Sequence, residues 1–197
     1  LSFSSSNKGC EALSYSFVNM IREFGYQNLE IHVFGYSEMG DFTKYYSDIR
    51  FINHRLKMKN PFFWQKLKKQ FDEMDCIFDA TFGDGFSDIY GKLWNVTTNL
   101  AKQIAIFSST PFILLPQTYG PYKNILLRLW AKKIVKTVNI AFSRDNDSAV
   151  ETNKKIIVGT DLAFALPYKR EEYKFDNKKL KIGLNVSSLL WEGGHEI

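Results

Sequence analysis

The sequence predicts an α/β fold with a doubly wound, mostly parallel sheet. Three observations point there. Strand-length apolar or alternating runs take turns with amphipathic stretches of helical spacing along most of the 197 residues. The connections are short, which with strand-then-helix repetition implies parallel strands and right-handed crossovers. Polar turns, several with glycine, recur where a strand should end and a helix begin, the edge at which open parallel sheets bind ligands.

The opening "LSFSSSNKG" is the tail of a strand running into a loop, so the chain reads as an excerpt of a longer protein. From Ala12 to Phe24, residues Leu13, Phe17, Met20, Ile21 and Phe24 recur at helical spacing, and Gly25 supplies a C-terminal stop. "LEIHVF" (29–34) alternates as a strand and "IRFIN" (49–53) is a second. Pro61 suits the start of an amphipathic helix running to about Met74, with Phe62, Trp64, Leu67 and Phe71 on its apolar face. "DCIFDATF" (75–82) reads as a buried strand, "GDGFSD" (83–88) as a glycine-rich turn, and a helix follows from Ile89 to about Ile106. "PFILLP" (111–116) is the next strand, and residues 124–138 form a helix with a basic outer face. "IAFSRD" (140–145), a short helix over 146–154, "KIIVG" (155–159) and "DLAFAL" (161–166) complete the alternation. Residues 1–169 are therefore expected to form one α/β domain and the charged 170–179 a linker. Residues 180–197, opening on "LKIGLNVS", would be the first strand of a second domain whose remainder lies beyond this chain.

With 45% hydrophobic and 24% charged residues, the chain has the composition of a soluble globular protein with material for one sizeable core. No apolar stretch approaches the roughly 20 residues of a membrane span. No leader pattern opens the sequence, so a cytoplasmic protein is expected. Cys10 and Cys76 sit in unlike contexts, a polar turn and an apolar run, which argues for reduced thiols and against zinc. The net charge of +5, spread through helices, favours anionic small substrates or the inner membrane surface over dedicated nucleic-acid binding. A merely solvated basic surface is the plain alternative.

The residues with chemistry fall at the strand ends. In "SNKGCE", Asn7 can turn back on its own backbone, Gly9 can take positive φ, and the following helix offers unpaired N–H groups. Glu11 in the first turn would repel a phosphate there, so a sugar hydroxyl is the better guest, with Glu11 as acceptor or base; the alternative is that Asn7 and Glu11 cap the helix. In "GDGFSD", Gly83 and Gly85 lack the third glycine of a dinucleotide fingerprint, and Asp84 is the stronger candidate for hydroxyl or metal contact. Asp88 could equally be an N-cap. Arg144 could fork onto a carboxylate or phosphate, or pair with Asp145 or Asp147. Asp161 could accept hydrogen bonds at the site or cap the next segment. Gln117 and Thr118 are expected to emerge into the crevice beyond a central strand. Gln117 would orient substrate there, since an amide does not titrate, while Tyr119 is open between lid and core. Cys10 at a helix N-terminus could be a nucleophile, but no base stands near it in sequence. His32, His54 and His195 lack ligand spacing, and His32 is expected to face solvent.

Together "SNKGCEAL" (6–13), "DCIFDATFGDGFSDIYG" (75–91), "ILLPQTYGPY" (113–122), "FSRDNDSAVE" (142–151), "VGTDLAFAL" (158–166) and "IGLNVSSL" (182–189) resemble, in order, the polysaccharide pyruvyl transferase family. The resemblance covers most of the chain, the Pro-Gln…Gly-Pro segment being the most specific part. It implies Rossmann-like layers forming half of a GT-B-like two-domain architecture, with the active site in the cleft between domains. It implies transfer of a pyruvyl group from phosphoenolpyruvate, the donor substrate, to sugar hydroxyls of a saccharide or lipid-linked saccharide in cell-surface or exopolysaccharide biosynthesis, giving a cyclic ketal and phosphate. No cofactor and no metal are implied. Asn7, Glu11, Asp84, Gln117 and Arg144 match motif positions lining that cleft. "GDGFSD" stands where many relatives show three glycines, and Cys10 where an acid or small residue is commoner. The second domain would have to supply an acid and a further cation, so this stretch alone should be inactive. A nucleotide-sugar glycosyltransferase of the same architecture and a non-catalytic saccharide-binding relative are the alternatives.

Overall fold

The computed structural model describes residues 8–36, 45–57, 59–148, 156–169, 180 and 182–184. In chain order these hold α1 (Lys8–Glu23), β1 (Glu30–Gly35), β2 (Arg50–Arg55), α2 (Pro61–Asp72), β3 (Ile77–Asp79) and a 3-10 turn (Thr81–Gly83). There follow α3 (Lys92–Phe107), β4 (Phe112–Gln117), α4 (Ile125–Thr137), β5 (Ile140–Ser143), β6 (Ile156–Val158) and a second 3-10 turn (Leu162–Ala165). Every pairing among these strands is parallel, and the fold is α/β of a Rossmann-like kind. The strands form two sheets, β3–β4–β5–β6 in sequential order and β1–β2 apart from them. The strand tail expected at the start of the chain lies outside the described residues.

β4 is the spine of the larger sheet. Phe112 and Leu114 face one side, where Ile104 and Ala105 of α3 and Ala131, Ile134 and Val135 of α4 pack with Phe86 and Tyr119. Leu115, on the other side of the pleat, joins Leu13 and Phe17 of α1 with Ala80 and Leu162. Period-two alternation in the strand thus meets helical stripes on both faces, and burying each such large side chain contributes about 1.5–3 kcal/mol. The smaller sheet, through Val33, and the segment before β2, through Tyr46 and Ile49, close on Val18 of α1, and Phe34 of β1 meets Phe71 of α2 edge-on at 5.0 Å.

Several expected boundaries move, each for a local reason. α1 begins at Lys8, so Gly9 lies in its first turn and not in a left-handed turn before it. β3 ends at Asp79 because Thr81, Phe82 and Gly83 take φ of 38°, 59° and 88°, a left-handed run no strand continues through. α3 starts at Lys92 because Gly91, at φ 94°, is not helical. β4 runs on through Pro116 to Gln117: the register to β5 shifts between Leu114 and Gln117, so the residue lacking an N–H falls in a bulge. Asn124 caps α4, accepting from the N–H groups of Leu126 and Leu127, and Asn60 caps α2 ahead of Pro61. The helix expected over 146–154 is present at 146–148, and its continuation lies outside the described residues.

The chain divides into two compact units, Leu1–Leu166 and Pro167–Ile197. The expected linker at 170–179 lies outside the described residues, and the described residues of 180–187 carry no regular element. Among the described residues no helix is long and apolar enough to cross a membrane.

Candidate active site at the carboxyl edge of the sheet

The turn after β3 is built from its own side chains. Both carboxylate oxygens of Asp79 lie within hydrogen-bond reach of the Thr81 hydroxyl, at 2.6 and 2.9 Å. The Gly83 N–H donates to Ala80 and the Gly85 N–H to the Thr81 carbonyl. Two non-glycine residues at positive φ cost on the order of 1 kcal/mol or more each and persist only where neighbours over-determine them. The glycines are required by close approach: a Cβ on Gly85 would lie 2.6 Å from the Thr81 carbonyl, and one on Gly83 3.1 Å from Arg144 Nη1 and 3.2 Å from Leu13 Cδ1. Beneath the turn Lys102 is buried, its Nζ 3.4 Å from Asp79 and 4.7 Å over the Phe86 ring. Burial pushes the Lys102 ammonium below its ordinary pKa, with the Asp79 carboxylate opposing the shift.

Arg144 follows β5 and ties three strand ends together. Its Nε donates to the Thr118 hydroxyl at 2.6 Å and its Nη1 to Asp161 at 2.8 Å. The Thr118 hydroxyl donates to Asp145 at 3.2 Å, and its N–H to the Gly83 carbonyl at 2.7 Å. Asp161 serves two partners, Arg144 through Oδ2 and the Ala163 N–H through Oδ1, so it caps the second 3-10 turn as well. Burial works against ionising Asp145, but hydrogen bonds from Ser148 and Thr118 and the Arg144 charge together hold its carboxyl below the ordinary range.

Beside this cluster opens a cavity of about 280 Å³ lined by Cys10, Phe82, Asp84, Gly85, Tyr90 and Trp94. The Tyr90 hydroxyl donates to Asp84 at 2.8 Å. Burial, the hydrogen bond to Asp84 and its negative charge push Tyr90 up to about 12, so it is a fixed donor at neutral pH. Trp94 faces Phe82 at 5.9 Å and Tyr90 at 6.5 Å between ring centres, and its buried indole N–H has no hydrogen-bond partner among the described residues. Asp84 thus puts a carboxylate at an aromatic-walled cavity, and the Arg144 guanidinium lies against Gly83, the residue before it in the chain. Among the described residues no three His, Cys, Asp or Glu side chains group as metal ligands would.

The model of the polysaccharide pyruvyl transferase family matches residues 7–192. The chain belongs to that family. No curated protein and no solved structure matches it. The match takes in every candidate residue of this pyruvyl transferase family member, from Asn7 to Asp161.

Of the residues expected at the site, Gly83, Asp84, Gly85, Thr118, Arg144 and Asp161 come together. Glu11, on the first turn of α1, is ion-paired to Lys8 at 2.7 Å; Gly9 is exposed beside it, and Asn7 lies outside the described residues. Gln117 corrects the expectation: it is fully buried, its amide donating to the Asp79 carbonyl at 3.1 Å, because the β3 turn curls over the strand end. It braces the turn. The partner of Arg144 is Asp161, and neither Asp145 nor Asp147 takes that place. Asp88 caps no helix of its own; its carboxylate accepts the N–H groups of Lys123 and Asn124. Tyr119 is core, its hydroxyl donating to the Phe142 carbonyl. His32 is half-buried and bonded to Glu30 and His54. Sequence reasoning missed Phe82, Tyr90 and Trp94, although Tyr90 and Trp94 sit four residues apart directly after the glycine turn.

Proposed function

We propose that this family member transfers the pyruvyl group of phosphoenolpyruvate to two hydroxyls of a saccharide, as a cyclic ketal, with release of phosphate. The observation that carries the reading is the juxtaposition of Arg144 with the Asp84 cavity across Gly83. In the reaction two sugar O–H bonds break and two C–O bonds form at the enol carbon. One proton goes to the vinyl carbon, making it a methyl group, and the other leaves with phosphate. On this reading Asp84, whose carboxylate accepts from the Tyr90 hydroxyl, takes a hydroxyl proton. Arg144, braced by Thr118 and Asp161, offers positive charge to the donor's carboxylate or phosphate. Glu11 is a second carboxylate on the same edge. Aromatic walls suit the apolar face of a sugar ring, and a cavity this size suits one ring. On this reading the chain supplies one half of a GT-B-like cleft. The acid that protonates the vinyl carbon and a second cation come from the other half, so this half alone is inactive. The protein works in the cytoplasm.

The test is phosphate release by the intact protein from phosphoenolpyruvate across a panel of saccharide acceptors. Release that requires an acceptor, and that is lost in Asp84→Asn, Arg144→Ala and Glu11→Gln, is expected. A silent panel with folded protein overturns the reading, and turnover of nucleotide sugars instead would make the protein a glycosyltransferase.

A further inference from the structure

α4 has a second face against which none of the described residues packs as core. Leu127, Ala131, Ile134 and Val135 turn into the core. On the other side Leu126, Leu129, Lys133 and Lys136 follow at spacings of three and four, which places them in one stripe. Ile125, Leu126 and Leu129 are 60%, 72% and 55% exposed. The stripe is therefore apolar over the first turns and cationic over the last. The helix also holds Arg128 and Lys132 and carries no acidic residue from Ile125 to Thr137. The Asp88 carboxylate ties the turn before α3 to the start of α4, and in the first turn of α3 Leu93 is 78% exposed.

Single exposed leucines are ordinary. Grouped aliphatics continuous with lysines on a helix that carries no acid are the composition of a helix that lies in a membrane interface. A polyanion such as nucleic acid would use the lysines and leave the leucines in water; an apolar protein groove would do the reverse. We propose that the outer face of α4, with the first turn of α3, docks on an anionic phospholipid bilayer, the leucines entering the headgroup boundary and the lysines pairing with phosphates. α4 begins at the carboxyl edge of the sheet, so docking by its apolar end holds the Asp84 cavity close to the lipid surface. The proposal stands independently of the transferase reading.

Co-sedimentation of the intact protein with vesicles of phosphatidylcholine and phosphatidylglycerol, against phosphatidylcholine alone, tests it. Binding should require the anionic lipid and weaken as salt is raised. Lys132→Gln, Lys133→Gln and Lys136→Gln together should reduce it about 100-fold, at roughly fivefold per lysine. Leu126→Ser with Leu129→Ser should reduce it by at least about tenfold, with the thermal melt unchanged because both positions are exposed. Absence of binding, equal binding to phosphatidylcholine alone, or binding indifferent to both variants overturns the proposal. So does a Leu126/Leu129 variant that changes only the sedimentation of lipid-free protein, which would make the stripe a contact between copies.

Discussion

Arg144 can sit where it does because residue 83 has no side chain. Gly83 needs the left-handed backbone that its φ of 88° describes, and a Cβ there would press on both Arg144 Nη1 and Leu13. Gly83→Ala is expected to destabilise the protein by about 1–3 kcal/mol in urea unfolding and to lower activity further than that loss explains, because the guanidinium must move. Arg144→Lys is expected to be nearly as inactive as Arg144→Ala: an ammonium keeps the charge but cannot hold the Thr118 hydroxyl and Asp161 in one planar fork. Activity of the Lys variant near that of the native protein would mean that charge alone matters. Arg144 stood out in the sequence because it directly follows the apolar run of β5, and Asp84 because it sits between two glycines in the polar turn beyond β3. Gln117 was misread for a reason no local pattern carries: whether a strand-end amide meets solvent depends on a turn 38 residues earlier in the chain, the one that presents the Asp79 carbonyl. Tyr90 and Trp94 escaped because, on a helix expected from Ile89, spacing by four looks the same whether the face meets core or cavity.

At the scale of elements, the left-handed turn Thr81–Gly83 decides where Asp84 points, and it rests on the buried contact of Asp79 with Lys102. Asp79→Asn leaves the ammonium without its countercharge and should cost about 3 kcal/mol. Lys102→Met fills similar volume, removes the buried charge and leaves Asp79, a quarter exposed, with the Thr81 hydroxyl; it should cost less. Equal losses in the two variants, measured by chemical unfolding, would show that the pair is not what supports the turn. The sequence displayed the elements on either side well, through the apolar stripe of α1 and the alternation around β4. It did not display the turn's hand, because Thr81 and Phe82 are not residues that ordinarily take positive φ, so the strand was expected to continue to Phe82.

For the whole molecule, strand-then-helix order made the α/β class legible, whereas division into two sheets depends on pairing between distant segments and left no local mark. The seam between the smaller sheet and α2 is where pH should act first. His54 of β2 is bonded to His32 of β1 at 2.9 Å and to Gln70 of α2 at 3.1 Å, and it stacks on Phe34 at 4.6 Å. Burial lowers its pKa below the ordinary 6.5, and the nearby His32 and Lys66 charges add to that. The unfolded chain therefore binds the proton first as pH falls. This contribution to stability is full above pH 6.5 and is lost as pH drops through the lowered folded pKa. Amide exchange in β1 and β2 should accordingly rise below pH 6.5 before exchange in β4 does. His54→Gln can keep a hydrogen bond toward Gln70 but cannot take the proton, so it should flatten that acid-side loss while leaving the rest of the stability curve in place. If the variant loses stability over the same window as the native protein, the acid-sensitive group lies elsewhere and the seam is not where unfolding begins.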